Sequence, residues 1–263
     1  PITARNAVKI KTSGVASSKP AVYGCNLNNN TVFDENDDGE HIACNYFSWM
    51  SAAAFLDWSG LRPMSDLEFE KACRGDQAPV LNEYVWGSIT LINPLSYSNL
   101  GALNEISNTN FSNAHYYNTI LSGPIRVGTF ANSTSNRVQS GATYYGIMNM
   151  GDNLTEPIVT VGNTAGRSYT GLHGNGILLS NGKADVSYWP GINGNTSETN
   201  ANGISDGVTG IPSSTAAGTG FRGGAYTYNS AIHLRTSYRG AAASSMGVGI
   251  SSSIGIRGVR TIL

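Results

Sequence analysis

Charge is the scarcest resource in this chain. Asp, Glu, Lys and Arg together make up 13% of its residues, about half the roughly 25% of an ordinary globular domain. With a net charge of −1 and no Lys/Arg cluster, the chain lacks the electrostatic footprint of a protein that binds nucleic acid or an anionic membrane. Long apolar runs are missing too. None approaches the roughly 20 residues that cross a bilayer, and no charged leader precedes an apolar segment, so no membrane-spanning segment is predicted. Cysteine is limited to Cys25, Cys44 and Cys73, an odd number that argues against a disulfide framework. A Cys25 to Cys44 bridge in an oxidising compartment and free buried thiols both remain open. Pro1 in place of Met predicts a processed product or an excised domain.

Turn-forming residues fill the gap. The chain of 263 residues carries 32 Gly and is rich in Asn, Ser and Thr, which favours a loop-rich fold over a helical one. Its 13 Tyr and 4 Trp argue against disorder. The length suits one large domain with a sizeable core, and the expectation is a single domain over 1–263.

The stretch from Phe221 to Leu263 is the part around which the rest is arranged. Phe221 to Tyr226 and Ile254 to Arg260 alternate small or apolar residues with arginines, as half-buried strands do, and Gly223 and Gly224 supply freedom for a sharp change of direction. Between these ends lie segments with almost no charge and no clear period, rich in Tyr, Ser, Gly and Asn. Those residues suit adaptable binding loops: Tyr gives rigid amphipathic contact, and the others give hydrogen bonds at little steric cost. The candidate ligand-binding residues are Tyr226, Tyr228, Asn229, Ser230, Ala231, His233, Ser237, Tyr238, Ser244, Ser245, Met246, Val248 and Ser251. Arg222, Arg257 and the Gly223–Gly224 pair read as framework.

Taken in order, residues 1–23 predict one or two strands, with Ala7 to Lys11 alternating apolar and basic. In the segment from Asn26 to Gly39, oxygen-bearing side chains recur at every second residue. Asn26, Asn28, Asn30, Asp34 and Asp37 fall where an EF-hand or dockerin loop places calcium ligands, with Thr31 at the place of the usual central glycine. Calcium is the one cofactor predicted, against the plain alternative of a polar turn. Asn45 to Gly60 is Ala-rich inside and ends on a glycine, which predicts a helix. Ser65 to Gly75 begins with a Ser65–Glu68 capping box, carries acids in its first turn and bases in its last, and predicts a second helix. After about Trp86 there is no comparable helical pattern. Two helices, a long irregular stretch and terminal strands predict an α+β fold.

The motifs from Phe47 through Gly60, Leu61 to Gly75 and Trp86–Gly87 resemble the conserved half of formylglycine-generating-enzyme (sulfatase-modifying-factor) domains. Tyr145 to Glu156 is similar to that family's glycine-Asn-x-Trp-Glu motif, with Thr155 in the place of Trp. Phe221 to Gly224 and Ile254 to Arg257 are similar to its closing motifs. The resemblance covers residues 40–260 and implies a C-type-lectin-type fold of two helices, a small twisted antiparallel sheet and long loops. The family's oxidase chemistry relies on a pair of C-terminal cysteines, whereas this chain has none after Cys73. Its sulfoxide synthases need a histidine triad, whereas His41, His115, His173 and His233 are scattered. The branch that fits is the variable proteins of diversity-generating retroelements, which implies a non-enzymatic binder. Its partner would be a macromolecular ligand, protein or glycan, met at a bacterial cell surface or from a phage virion. The alternatives are a divergent oxidoreductase of the family and a structural fibre or pilus subunit.

Other catalytic patterns are weak. Gly203-Ile204-Ser205-Asp206-Gly207 matches a nucleophile elbow but lacks the flanking strand and helix. Gly176 to Ala184 is one residue too long for a phosphate loop and lacks its final hydroxyl, so a turn is predicted. His173 reads as a structural loop residue, and Glu156-Pro157-Ile158 departs from the sugar-binding Glu-Pro-Asn tripeptide of calcium-dependent lectins.

Overall fold

The computed structural model of the protein describes residues 4–16, 18–117, 119–191, 215–247 and 250–261. Among these, four helices and five two-stranded antiparallel ladders make an α+β architecture joined by long loops. The N-terminal ladder pairs β1 (Val8–Thr12) with β2 (Val22–Cys25) and carries a bulge between Ile10 and Thr12. Its β1 lysines turn to the following loop, where Lys9 Nζ donates to Asn29 Oδ1 at 2.6 Å and Lys11 Nζ to Asp34 Oδ2 at 2.6 Å.

Helix α1 (Trp49–Trp58) starts four residues after the predicted stretch opens. Tyr46 sits at φ +64°, outside helical space, and Ser48 then caps the first turn in a reciprocal box with Ser51. Short strand β3 (Arg62–Pro63) leads to α2 (Asp66–Arg74), which has the predicted Ser65–Glu68 capping box and ends on Gly75 at φ +69°. Asp66, Phe69 and Cys73 form its buried face, the i, i+3, i+7 spacing of a helix packed on one side.

Strands β4 (Tyr97–Ser98) and β5 (Ile106–Ser107) pair with each other. Beyond them come two single-turn helices, α3 (Arg137–Ser140) and α4 (Thr164–Arg167), capped by Asn136 and Asn163. One turn is too short to show a hydrophobic period, so neither was visible as a pattern.

The C-terminal stretch threads the rest together. Fully buried β6 (Glu156–Val159) and β7 (Thr215–Ala216) precede β8 (Thr219–Arg222), which pairs with β6 in the register Glu156 to Arg222 and Val159 to Thr219. β9 (Met246–Gly247) pairs with β7, Ile254 bridges to Thr155, and β10 (Gly258–Val259) pairs with β3. One core cluster joins Phe69, Cys73, Val85, Trp86, Met150, Ile158 and Leu234. A second packs Ala53 and Leu56 of α1 on Val186 and Trp189, and a third joins Trp49, Val159, Ala216 and Met246. The three cysteines are free thiols: Cys73 in the core, Cys25 half-buried and Cys44 exposed.

A polar knot is sealed inside. His115 is fully buried; its Nδ1 accepts from Tyr97 Oη at 2.7 Å, and its Nε2 faces the Gly123 carbonyl at 2.9 Å, which selects the neutral Nε2–H tautomer. Asp152, equally buried, accepts from the His115 backbone N–H at 2.7 Å and from Asn149 Nδ2 at 3.1 Å. Burial pushes the His115 imidazole down to about 4 and the Asp152 carboxyl up to about 7. The two contributions have opposite signs. The stability linked to His115 is present above its unfolded pKa of about 6.5 and is lost as pH falls toward its folded value. That linked to Asp152 is present below about 3.8 and is lost as pH rises through its folded value. Urea unfolding between about pH 6 and about pH 8.5 is therefore expected to show a falling midpoint in the wild type and a flatter profile in Asp152→Asn, which keeps one acceptor for the His115 N–H. Parallel profiles would remove Asp152 as the source of the slope.

Candidate functional site

The C-terminal loop face is built outward from β8. Arg222 is fully buried, pairs with Asp66 at the start of α2, donates to the Thr236 carbonyl, and lies 4.6 Å from the centre of the Phe69 ring. Gly223, at φ +74°, turns the chain, and a Cβ at Gly224 would come 2.7 Å from Leu234 Cδ1, so neither position has room for a side chain. The chain is then pinned to the Gly151–Asn153 turn: Gly224 N donates to Gly151 O at 2.8 Å and Tyr226 N to Asn153 O at 2.9 Å. Tyr226 is 4% exposed and its ring stacks on His115, with centroids 5.9 Å apart. It faces the interior and supports the loop from below.

Beyond this anchor the chain rises to the surface. Tyr228 N donates to Ala225 O at 3.0 Å, and Ser230 precedes a 3-10 turn over Ala231–Leu234 whose last residue is buried in the core. His233 sits between Tyr228 and Tyr238, 4.7 Å from each ring centroid and tilted 56° and 71° to them. All three rings are half-buried, and burial pushes the His233 imidazole below its usual value, so it is neutral near pH 7 and donates one N–H. Tyr238 packs over Gly240, where a Cβ would meet its hydroxyl at 2.3 Å. Asn229 and Ser237 are exposed, and Ser230 and Ala231 are half-buried.

The second loop returns through Ser244, exposed, and Ser245, half-buried. Met246 is 1% exposed and packs with Trp49, Val159 and Ala216. Its place in the ladder with β7 turns it inward, so it belongs to the core and not to the face. Ser251 is half-buried; its carbonyl accepts from Tyr46 N at 3.1 Å and its hydroxyl from Ser253 N at 3.2 Å. Val248 lies outside the described residues. Thr227 Oγ1 and Ser253 Oγ, 2.7 Å apart, close the two ends of the stretch onto each other. Tyr46, 38% exposed beside Ser251, joins this surface from far away in sequence, where no local pattern could have pointed to it. Thr227 and Ile250, both exposed, were legible only as neighbours of the candidates.

The five predicted calcium ligands share one loop, where hydrogen bonds already engage them. Asp34 is held by Lys11 and accepts from Cys25 N at 2.8 Å, and these partners keep its carboxyl below the usual carboxylate range. Asn26 is buried and its Nδ2 donates to Asn30 O at 2.8 Å. Asn28 Oδ1 and Asn30 Oδ1 accept from the backbone two residues on, at 3.1 Å and 2.6 Å, which makes them turn-formers. Their amide nitrogens converge on Glu35, a residue outside the predicted set, and Asn28 Nδ2 also reaches Asp37 Oδ1 at 3.3 Å. Among the described residues no three His, Cys, Asp or Glu side chains are grouped to hold a metal ion.

Other motifs resolve as framework. His173 Nε2 accepts from Thr261 N at 2.9 Å, tying the C-terminal segment down. The Gly176–Ala184 segment closes as a turn through Leu179 N to Lys183 O at 2.8 Å. Glu156 is buried in β6 and accepts from Arg257 Nε at 2.6 Å. The Ser205 motif lies outside the described residues. No helix among the described residues is long and apolar enough to cross a membrane. No protein-family profile matches the chain, and no curated protein matches it.

Proposed function

We propose that this chain is a non-catalytic ligand-binding protein that presents the loops between Tyr226 and Ser251 as its recognition face. The observation that carries this reading is the trio Tyr228, His233 and Tyr238, with His233 in contact with both tyrosines, on a loop whose roots, Arg222, Gly224 and Leu234, are all buried. Aromatic rings held by a rigid base but still partly open to solvent are the side chains that dominate recognition energies. Among the exposed residues around them, Asn229, Ser237 and Ser244 are small and uncharged, so these can change without disturbing the interior. This arrangement suits a variable protein of the diversity-generating-retroelement kind on a C-type-lectin-type scaffold, which displays its face to a protein or glycan from a bacterial surface or a phage virion. The family's C-terminal cysteine-pair chemistry is disfavoured: no cysteine follows Cys73, and Cys73 itself is fully buried with its thiol pushed up by desolvation.

Calcium in the Asn26–Asp37 loop stands as a second proposal. Glu35 and Asp37 both lie 3.3 Å from Asn28 Nδ2, and neither is in an ion pair among the described residues. A bound cation would take the place of that amide as their shared partner, with Asn28 and Asn30 beside it. A ligand that favours the folded state raises its stability, so millimolar calcium is expected to raise the melting temperature and Asp37→Ala to erase the rise. Equal melting temperatures in calcium and in chelator would leave a polar turn.

The recognition face is tested by substitution. Replacing exposed Asn229, Ser237 and Ser244 is expected to change stability by no more than about 0.5 kcal/mol each. A library randomised at these positions and at Tyr228, Ser230, His233, Tyr238, Ser245 and Val248 should give mostly folded proteins with altered partner preference. For a partner selected from cell-surface proteins or glycans, Tyr228→Ala or Tyr238→Ala is expected to cost on the order of 2 kcal/mol of affinity. General misfolding across the library would show that the stretch is core and that binding occurs elsewhere.

A further inference from the structure

A second concave site lies apart from the C-terminal loops. It is a cleft of about 250 Å³ between the β5 turn, the loop before α3, and α3 itself. No Asp, Glu, Lys, Arg or His lines it; its walls are hydroxyls and carboxamides, together with Ile106 and two phenylalanines, Phe111 and Phe130. Phe130 is buried, whereas Phe111 is 61% exposed and holds φ +62°, a left-handed backbone that a bulky residue rarely adopts. An aromatic ring is thus held open to water at a polar cleft, although burying it would be favourable.

The amide groups of the cleft are oriented in advance. Asn132 Oδ1 accepts from Thr134 N at 2.9 Å and from Thr134 Oγ1 at 2.8 Å, and Gln139 Oε1 accepts from Asn136 N at 3.0 Å. Each oxygen is therefore fixed by the fold, and each NH₂ group is left with no protein acceptor among the described residues. The Asn110 side chain has no hydrogen-bond partner among them at all. Ser107 Oγ accepts from Ser112 Oγ at 2.7 Å and from Thr109 N at 3.1 Å, which leaves its own proton to donate. The cleft therefore offers several neutral donors, no charged lining residue, and one flat apolar surface.

From this geometry we infer that the cleft binds one neutral sugar ring, either a free monosaccharide or the terminal residue of a glycan. A pyranose carries hydroxyl oxygens that accept from carboxamide NH₂ groups, and it has an apolar C–H face that packs on an aromatic ring. An anionic ligand would find no cation here, and a cationic one no carboxylate, so each would give up hydration without a compensating partner. The volume is below the roughly 300–1,000 Å³ of clefts for larger ligands, which sets the occupant at a single ring. This site uses none of the residues of the C-terminal face and stands or falls independently of it.

The test is saturation-transfer NMR on the full chain with the methyl glycosides of glucose, galactose, mannose and N-acetylglucosamine at millimolar concentration, beside methyl glucuronide. At least one neutral glycoside should receive saturation, strongest at its ring C–H protons, and bind more tightly than the uronide. Phe111→Gly relaxes the left-handed backbone, and Asn110→Ala removes a side chain that the fold does not use, so both variants should keep the wild-type melting temperature. Each should weaken binding about tenfold, as loss of a stacking anchor or a hydrogen-bond donor does. Methyl glycosides and reducing monosaccharides bound equally well would identify the free sugar as a sufficient ligand. A preference for the methyl glycoside would point to a glycan terminus. Absence of saturation from all four neutral glycosides would overturn the inference, as would signals unchanged in both variants or tighter binding of the uronide.

Discussion

The structure depends on one interior ion pair, Asp66 with Arg222. Asp66 is 1% exposed and Arg222 2%, and between them they connect the N-terminus of α2 to the strand from which the candidate face rises. Asp66 is well placed for a negative charge, at the positive end of a helix, and it takes a second arginine, Arg239, on its other oxygen. Arg222 donates from its other terminal nitrogen to the Thr236 carbonyl and lays its planar surface on Phe69, while its Nε, also buried, has no partner among the described residues. Burial works against its charge and Asp66 restores it. A guanidinium this deep is costly unless its charge is paired, and here the partners come from α2 and the Thr236 segment.

This constraint explains why the surface above can be so plain. Arg239 extends from Asp66 to Glu70 and holds the outgoing end of the loop. Arg257 does the same for the last strand through Glu156 and the Met148 carbonyl. Between these clamps Ala242 and Met246 are the buried hydrophobic side chains among the described residues, and the rest of the segment is mostly Ser, Gly and Ala. The rings of Tyr228, His233 and Tyr238, which precede Arg239, meet through His233.

The parts legible in the sequence were those governed by local chemistry. The Ser65–Glu68 box and Gly75 located α2 to within a residue, because caps are decided by near neighbours. The beginning of α1 was less clear, since it follows from the left-handed Tyr46 and a Ser48–Ser51 box that lacks the usual acidic partner. Tyr226 and Met246 looked like members of the face because composition cannot tell which way a side chain points in a loop; their burial is set by His115, Trp49 and Val159, which are distant in sequence. Asp34 matched a ligand spacing, yet Lys11 on a separate strand claims it. The uncharged cleft left no pattern at all, because residues 107–112 and 129–139 meet only in three dimensions.

The central claim is that the Asp66–Arg222 pair holds the C-terminal stretch in place. Equilibrium urea unfolding of Arg222→Met, which removes the charge and keeps an unbranched, shorter apolar side chain, tests it most directly. The account predicts a loss of about 3 kcal/mol or more, since removing one partner leaves the other's charge poorly compensated in the interior. A loss below about 0.5 kcal/mol, the range of ordinary surface changes, would contradict it.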